Sequence, residues 1–332
     1  MAFARIIMYL LLLQFGGIRP LWAASLKQVT VKHGEVDLSA WDKAHALRLT
    51  GDWYFFPHEH ITPQNFLERW RHNPQKLLTA PSGERFMNAA PSLFKDDFAI
   101  ATYALVVHKV PPGQLALEGA SVYTSGRLQA FTLQDPEGSL ARFDIGEAGL
   151  DREHSRPLTA RDNLLPLRAS PDQTWVILIH ASNFHHSWGG LWLAPRIGDY
   201  FDLSQYLKLQ DKLNYWLLGV IFFLAVYSSS LYLRRPEDRP SLFLAIFSIL
   251  LCIRLLAIAE AATPFIPDSA FKFEVIFKII YGTMIIGPLS LLYFTNSCFP
   301  GFVPKAWMKS LTLLFALQCS PRPPSTVSSA IF

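Results

Sequence analysis

The residues best suited to chemistry lie in one short segment of sequence NFHHSWGGLW, which begins at Asn183. Asn183, His185 and His186 supply amide and imidazole groups that can hydrogen-bond a polar ligand. Trp188 and Trp192 flank two glycines, and an indole ring can stack on the C–H face of a sugar while amides and imidazoles bond its hydroxyls. These five residues are the candidate ligand-binding residues, and a carbohydrate is the leading class of ligand.

The same segment also has a purely structural interpretation, which the sequence leaves open. Trp192 and Phe184 can belong to a hydrophobic core, and Asn183 can hydrogen-bond the backbone of its own loop. Gly189 and Gly190 permit a tight backbone path with positive φ under either interpretation.

Other polar clusters give less support for chemistry. The sequence His58-Glu59-His60 could supply metal ligands together with the histidines near position 185, but the zincin spacing is absent and adjacent strand residues point to opposite faces. The carboxylates of Asp96 and Asp97 lie in a turn-like segment, where acids are expected to be solvated, and no Gly-x-Ser-x-Gly motif occurs. We therefore expect no metal, no cofactor and no enzymatic activity.

The elements that must position these residues lie before residue 206, where short β-like runs alternate with turn residues. The predicted strands are at residues 26–33, 47–56, 99–110, 114–118, 128–133 and 175–181. One helix is predicted, because Thr62 can cap it, Pro63 suits its first position, and Phe66, Leu67 and Trp70 share a face. Many short strands with one small helix predict a β-sandwich with jelly-roll topology.

The chain after residue 206 has the composition of membrane helices. Residues 213–233 carry no charge, and at helical rise they would span about 30 Å, the thickness of a bilayer's hydrocarbon core. Arg234, Arg235 and Arg239 follow at once, which predicts a cytoplasmic end. Further spans are predicted at residues 241–259 and 274–294, with a partial span at 306–319 and a disordered tail at 320–332.

One charge interrupts the second predicted span. Arg254 lies inside an apolar run, and an intramembrane charge normally faces a partner or a cavity. Glu260 is a plausible partner about 9 Å further along the helix axis. Snorkelling of Arg254 to the outer interface is the alternative.

The first 24 residues have the features of a secretory signal peptide. Arg5 precedes a short apolar run, and small residues follow at Ala23 and Ala24, where cleavage is expected. An uncleaved signal anchor is the alternative. The resulting organisation is a signal peptide (residues 1–24), a β-sandwich domain (25–206), membrane helices (207–319) and a tail (320–332).

The overall composition excludes some classes of protein. Of 332 residues, 51% are hydrophobic and only 17% are charged, and the net charge of +4 is not concentrated in a basic run. Nucleic-acid binding is therefore not expected. All three cysteines lie after residue 213, so the β-rich domain cannot hold a disulfide of its own.

Several of these segments occur in an order that is similar to a known family. Leu49, Gly51, Trp53 and Phe55, then the Ala-Thr-Tyr that opens the strand at residue 101, then the 183–192 segment, resemble bacterial seven-transmembrane receptors with diverse intracellular signalling modules. The resemblance covers about residues 40–300 and implies a galactose-binding-like jelly roll in the periplasm, anchored in the inner membrane. A complete member would have seven spans and a cytoplasmic output module, so the sequence resembles a truncated member with an incomplete helical bundle.

These observations predict a membrane-anchored sensor that binds a small ligand in the periplasm and relays binding through its helices. The expected partners are that ligand and the lipid bilayer, and homo-oligomerisation stays open. The alternative is a non-sensing scaffold whose β-sandwich binds another protein.

Overall fold

The computed structural model describes residues 27–119, 121–122, 124–136, 138–157, 164–258, 270–301, 304, 308–310 and 312–313. The predicted signal peptide, Glu260, most of the partial fourth span and the predicted tail lie outside the described residues. The chain divides into two compact units, and the boundary falls between Lys208 and Leu209.

The first unit is rich in short strands. The strands described in it are β1 (Lys27–Val31), β2 (Glu35–Asp37), β3 (Leu47–Pro57), β4 (Thr79–Pro81), β5 (Ile100–Val110), β6 (Gly113–Glu118), β7 (Ser121–Val122), β8 (Ser125–Thr132), β9 (Ser139–Ile145), β10 (Leu164–Ala169), β11 (Gln173–Ser182), β12 (Leu191–Leu193) and β13 (Arg196–Asp199). Two helices, α1 (Pro63–His72) and α2 (Phe86–Ala89), and a 3₁₀ turn (Pro74–Lys76) lie between strands β3 and β5.

Most strands form one antiparallel sheet in the order β10-β6-β13-β3-β5-β11-β8-β9. The outermost strands β9 and β10 contact each other, so the sheet nearly closes on itself in a barrel-like or sandwich-like arrangement. β1 and β2 add in parallel to β3 and β5, and β7 pairs with β12 in a separate two-stranded ribbon. The antiparallel, β-rich architecture predicted from the sequence is therefore confirmed.

Strand β3 passes from one half of the sheet to the other, and its side chains alternate between two cores. Trp53 and Phe55 are buried in the larger core, whereas Tyr54 is buried on the opposite face. Gly51 lies at the crossing with φ of +129°, and a Cβ there would lie 2.2 Å from the Val31 carbonyl oxygen. Only glycine fits this close approach of β1.

Helix α1 covers the outer face of the sheet. The hydroxyl of Thr62 accepts a hydrogen bond from the Asn65 amide at 3.3 Å, and Pro63 occupies the first helical position, as predicted. Phe66 and Leu67 are buried in the second, smaller core. This core continues onto the even-numbered residues of β11, because successive strand residues point to opposite faces.

All six predicted strands are present, with ends shifted by a few residues. The strands that the sequence did not reveal are mostly short, and β2, β4, β7 and β12 have only two or three residues each. Such strands are too short to show the alternation on which the prediction depends.

The second unit consists of helices, the first of which begins in the β-rich unit and crosses the boundary. The bounds in the structure are α3 (Tyr200–Arg234), α4 (Arg239–Ile258) and α5 (Ala270–Cys298). Among the described residues, these three helices are long and apolar enough to cross a membrane. α3 contains the predicted span at residues 213–233, but it is longer than that charge-free run, because residues 200–212 are already helical.

Arg254 makes a contact that the sequence alone did not predict. It is 5% exposed, and its Nη1 donates a hydrogen bond of 2.8 Å to the carbonyl oxygen of Ile280 on α5. The guanidinium of α4 therefore contacts α5 through a backbone carbonyl. The predicted partner Glu260 lies outside the described residues.

Candidate binding site

The loop that follows β11 is organised by Asn183. This side chain is 1% exposed, and its Nδ2 donates to the carbonyl oxygens of Asp97 at 2.7 Å and His186 at 2.8 Å. Its Oδ1 accepts from the His186 amide at 3.2 Å, and its own amide donates to Ala99. Both hydrogens of the side-chain amide are therefore used inside the protein, as in the structural interpretation of this residue.

The two histidines of the segment are also engaged by backbone groups. The Nε2 of His185 lies 3.0 Å from the carbonyl oxygen of Ser155, which can only accept. The Nδ1 of His186 accepts from the Trp188 amide at 3.1 Å. Burial lowers the pKa of His186, so a neutral ring holds the backbone of Trp188 in place.

The two glycines let the loop lie against the segment that precedes α2. The Phe86 amide donates to the Gly189 carbonyl, and the Gly83 amide donates to Leu191, both at 2.9 Å. Gly190 has φ of +126°, and a Cβ on Gly189 would lie 2.4 Å from the Asp97 carbonyl oxygen. The backbone here excludes any larger residue, which fixes the positions of the flanking tryptophans.

Trp188 and Trp192 lie at the surface, 40% and 44% exposed. Their ring centroids are 6.4 Å apart and the ring planes are inclined by 34°. Leu191, between them, is fully buried, because successive residues of β12 point to opposite faces. The interpretation of Trp192 as a core residue was therefore wrong. We call Trp188 and Trp192 the indole platform.

An ion pair between the half-buried Arg85 and the buried Asp97 supports the indole platform. The Cζ atom of Arg85 lies 5.5 Å from the ring centroid of Trp188, and its guanidinium pairs with Asp97 at 2.5 Å. Asp97 is 2% exposed, and its Oδ1 also accepts from the Met87 amide at 2.9 Å at the start of α2. The expectation that Asp97 is solvated was wrong, although its neighbour Asp96 is exposed.

No pattern in the sequence indicates this ion pair. Arg85 and Asp97 belong to irregular segments without a motif, and only the folded chain brings them together. The Nη2 of Arg85 also donates to the Ser187 carbonyl at 3.3 Å. One side chain therefore contacts both the loop backbone and an indole of the platform.

The arrangement is suited to stacking rather than to bond cleavage. Two exposed indoles in fixed orientation offer flat apolar surface to the C–H face of a sugar ring. Exposed polar groups lie in the adjoining segment, where the Asn88 Nδ2 donates to the Glu84 carboxylate at 3.2 Å. The five predicted site residues therefore divide into three that order the loop (Asn183, His185 and His186) and two that face solvent (Trp188 and Trp192).

The histidines considered as metal ligands do not converge. His60 stacks on His180 with 4.8 Å between ring centroids, and the Nε2 of His58 lies 3.1 Å from the Leu93 carbonyl oxygen. Glu59, between them in sequence, pairs with Arg69. Within the described ranges, no group of three His, Cys, Asp or Glu side chains could hold a metal ion.

Comparison with known proteins adds little. No protein-family model matches the chain, and no curated protein matches it. Among solved structures, a glycoside hydrolase family 2 β-galacturonidase from Eisenbergiella tayi, bound to galacturonate, is similar with a TM-score of 0.28 and 13% sequence identity. The match covers 46% of this chain and 24% of the galacturonidase.

Proposed function

We propose that this chain is a membrane-anchored sensor whose β-rich unit binds a small ligand, a carbohydrate in the first instance, on the indole platform. The observation that carries the proposal is the exposure of Trp188 and Trp192, two neighbouring indole rings whose loop is held by backbone hydrogen bonds. Large apolar rings are normally buried, and a pre-ordered exposed pair is typical of a binding surface.

The proposal places the β-rich unit outside the cytoplasm of a bacterial cell, in the periplasm, as a jelly roll. The supporting observations are the signal-peptide pattern of the first 24 residues and the arginines at 234, 235 and 239. Those arginines lie at the turn between α3 and α4, where positive charge favours the cytoplasmic side. The resemblance to seven-transmembrane receptors with diverse intracellular signalling modules supports the same placement.

We propose that ligand binding is transmitted along the chain from the indole platform to the membrane helices. Leu191 to Leu193 of β12 lead within a few residues into β13, and α3 begins directly after β13 at Tyr200. A ligand that binds one arrangement of the platform more tightly than another would shift the conformational equilibrium of β13 and α3 towards the matching arrangement.

The proposal is tested by titrating the full-length protein, purified in detergent, with a panel of neutral and acidic saccharides while following tryptophan fluorescence. We expect one class of saccharide to bind, and Trp188→Ala and Trp192→Ala each to weaken binding by at least about tenfold, the scale of one lost aromatic stacking contact. Trp216→Ala, which removes an exposed indole from α3, is the matched control and should leave affinity unchanged.

Two results would count against the proposal. If no saccharide binds at millimolar concentration, the carbohydrate claim is wrong. If a saccharide binds equally to wild type and to both platform variants, the platform is not the site. A periplasmic protein crosslinked at Trp192, with no saccharide binding, would favour the scaffold alternative instead.

A further inference from the structure

The first two turns of α3 pack on the outer face of the sheet, within the β-rich unit. Leu203 is 2% exposed, and a Cβ on Gly198 would lie 2.9 Å from the Leu203 side chain. The carboxylate of Asp199 accepts from the Phe201 amide at 2.9 Å and so caps the helix. The helix start is therefore attached to β13 by both packing and capping.

A buried ion pair lies beneath this part of the helix. Arg196 on β13 and Glu118 on β6 are directly opposite in the sheet register, and their side chains form a close salt bridge. The two side chains are only 7% and 11% exposed. Burial alone would lower the pKa of Arg196, but hydrogen bonds and charge attraction with Glu118, and then with Tyr206, raise it overall.

The same guanidinium also contacts the helix. The Cζ atom of Arg196 lies 4.9 Å from the ring centroid of Tyr206, which is on the second turn of α3. A planar guanidinium can pair with a carboxylate at its edge and stack on an aromatic ring with its face, which an ammonium group cannot do. Arg196 therefore contacts β6 and α3 at once.

We propose that Arg196 is a positioning residue that couples sheet and helix: through Glu118 and Tyr206 it fixes the first two turns of α3 to β6 and β13, so that they move together. A shift of β13 relative to β6 would change the position of the guanidinium and with it the support of Tyr206. The coupling depends on this junction alone and not on which ligand the protein binds.

Hydrogen exchange of the full-length protein in detergent tests the coupling. Tyr206→Ala removes the stacked ring, and Arg196→Lys keeps the positive charge for Glu118 but loses the planar face. We expect both variants to speed amide exchange at residues 203–208 by at least about fivefold, the scale of a lost cation–π contact. Tyr206→Phe keeps the ring and loses only the hydroxyl that hydrogen-bonds Arg196, so its exchange at 203–208 should lie between wild type and Tyr206→Ala.

Amides of β11 and of residues 220–230 report whether each variant is still folded. Unchanged exchange at those amides with faster exchange at 203–208 supports the coupling. If Tyr206→Ala leaves residues 203–208 as protected as in wild type, or if Arg196→Lys has no effect there, the coupling is refuted. These exchange measurements need no ligand, so a failed saccharide titration would not change what they show about the coupling.

Discussion

We predict that the stacked histidines His60 and His180 make the stability of the β-rich unit depend on pH. The imidazole planes are inclined by only 10°, and His180 donates from Nε2 to the Ile61 carbonyl at 3.0 Å. Burial and, to a smaller extent, the nearby His180 and Arg127 together lower the pKa of His60 to about 4, although a backbone hydrogen bond with Ala181 raises it. Burial also lowers the pKa of His180.

The sign of the effect follows from the proton balance. Between pH 6.5 and about 4 the unfolded chain binds a proton at His60 that the folded protein does not bind. The neutral His60 ring therefore makes its full contribution to the free energy of unfolding above pH 6.5, and this contribution decreases as the pH falls towards 4. A pKa lowered from 6.5 to about 4 corresponds to at most about 3 kcal/mol, and solvent contact of the partly exposed ring reduces this to ~2 kcal/mol.

Urea unfolding of the full-length protein in detergent, followed by the fluorescence of the buried Trp53 and Trp175, measures this effect. We expect the free energy of unfolding to fall by ~2 kcal/mol more between pH 7 and pH 4.5 in wild type than in His60→Gln. His72→Gln, which replaces an exposed histidine at the end of α1, is the matched control and should keep the wild-type slope. If His60→Gln has the same slope as wild type, the histidine stack is not the source of the pH dependence.

Three further substitutions test the fold by urea unfolding. Trp175→Ala should destabilise the β-rich unit by about 3–5 kcal/mol, because this indole is fully buried. Trp192→Ala should lower the free energy of unfolding by less than about 1 kcal/mol, because this indole is exposed. Equal losses of stability in the two variants would contradict these exposures. Gly51→Ala should be strongly destabilising or prevent folding, because a Cβ there would overlap the Val31 carbonyl; soluble, wild-type-like protein would refute this. Thr62→Ala should cost about 1 kcal/mol through loss of the α1 cap, whereas Thr62→Ser should cost almost nothing.

Local patterns in the sequence were sufficient to predict much of the framework. The β-like run at residues 47–56 and the Thr62-Pro63 start of α1 depend on neighbours in the chain, and the structure has both where they were expected. The apolar runs also marked three helices long enough to cross a membrane. The early start of α3 was missed, because residues 200–212 mix charged and apolar residues like a linker.

The contacts that support the candidate site could not be predicted in this way. Arg85 with Asp97 and Glu118 with Arg196 are joined only by the fold, across separations that carry no periodic signal. The exposure of Trp192 depends on which face of a three-residue strand points inwards, and a strand of that length does not reveal its face in the sequence. The polar loop residues were predicted as ligand-binding residues, and in the structure the Asn183 side chain orders the loop.

The central claim, a ligand-binding surface outside the cytoplasm, is tested most directly at Ser187, an exposed residue between the two histidines and the indole platform. Ser187→Cys would be introduced together with replacement of the three native cysteines by serine, and intact cells would be treated with a membrane-impermeant maleimide. We predict labelling of intact cells that decreases when the saccharide identified by titration is added. Labelling only after the cells are lysed would contradict the account.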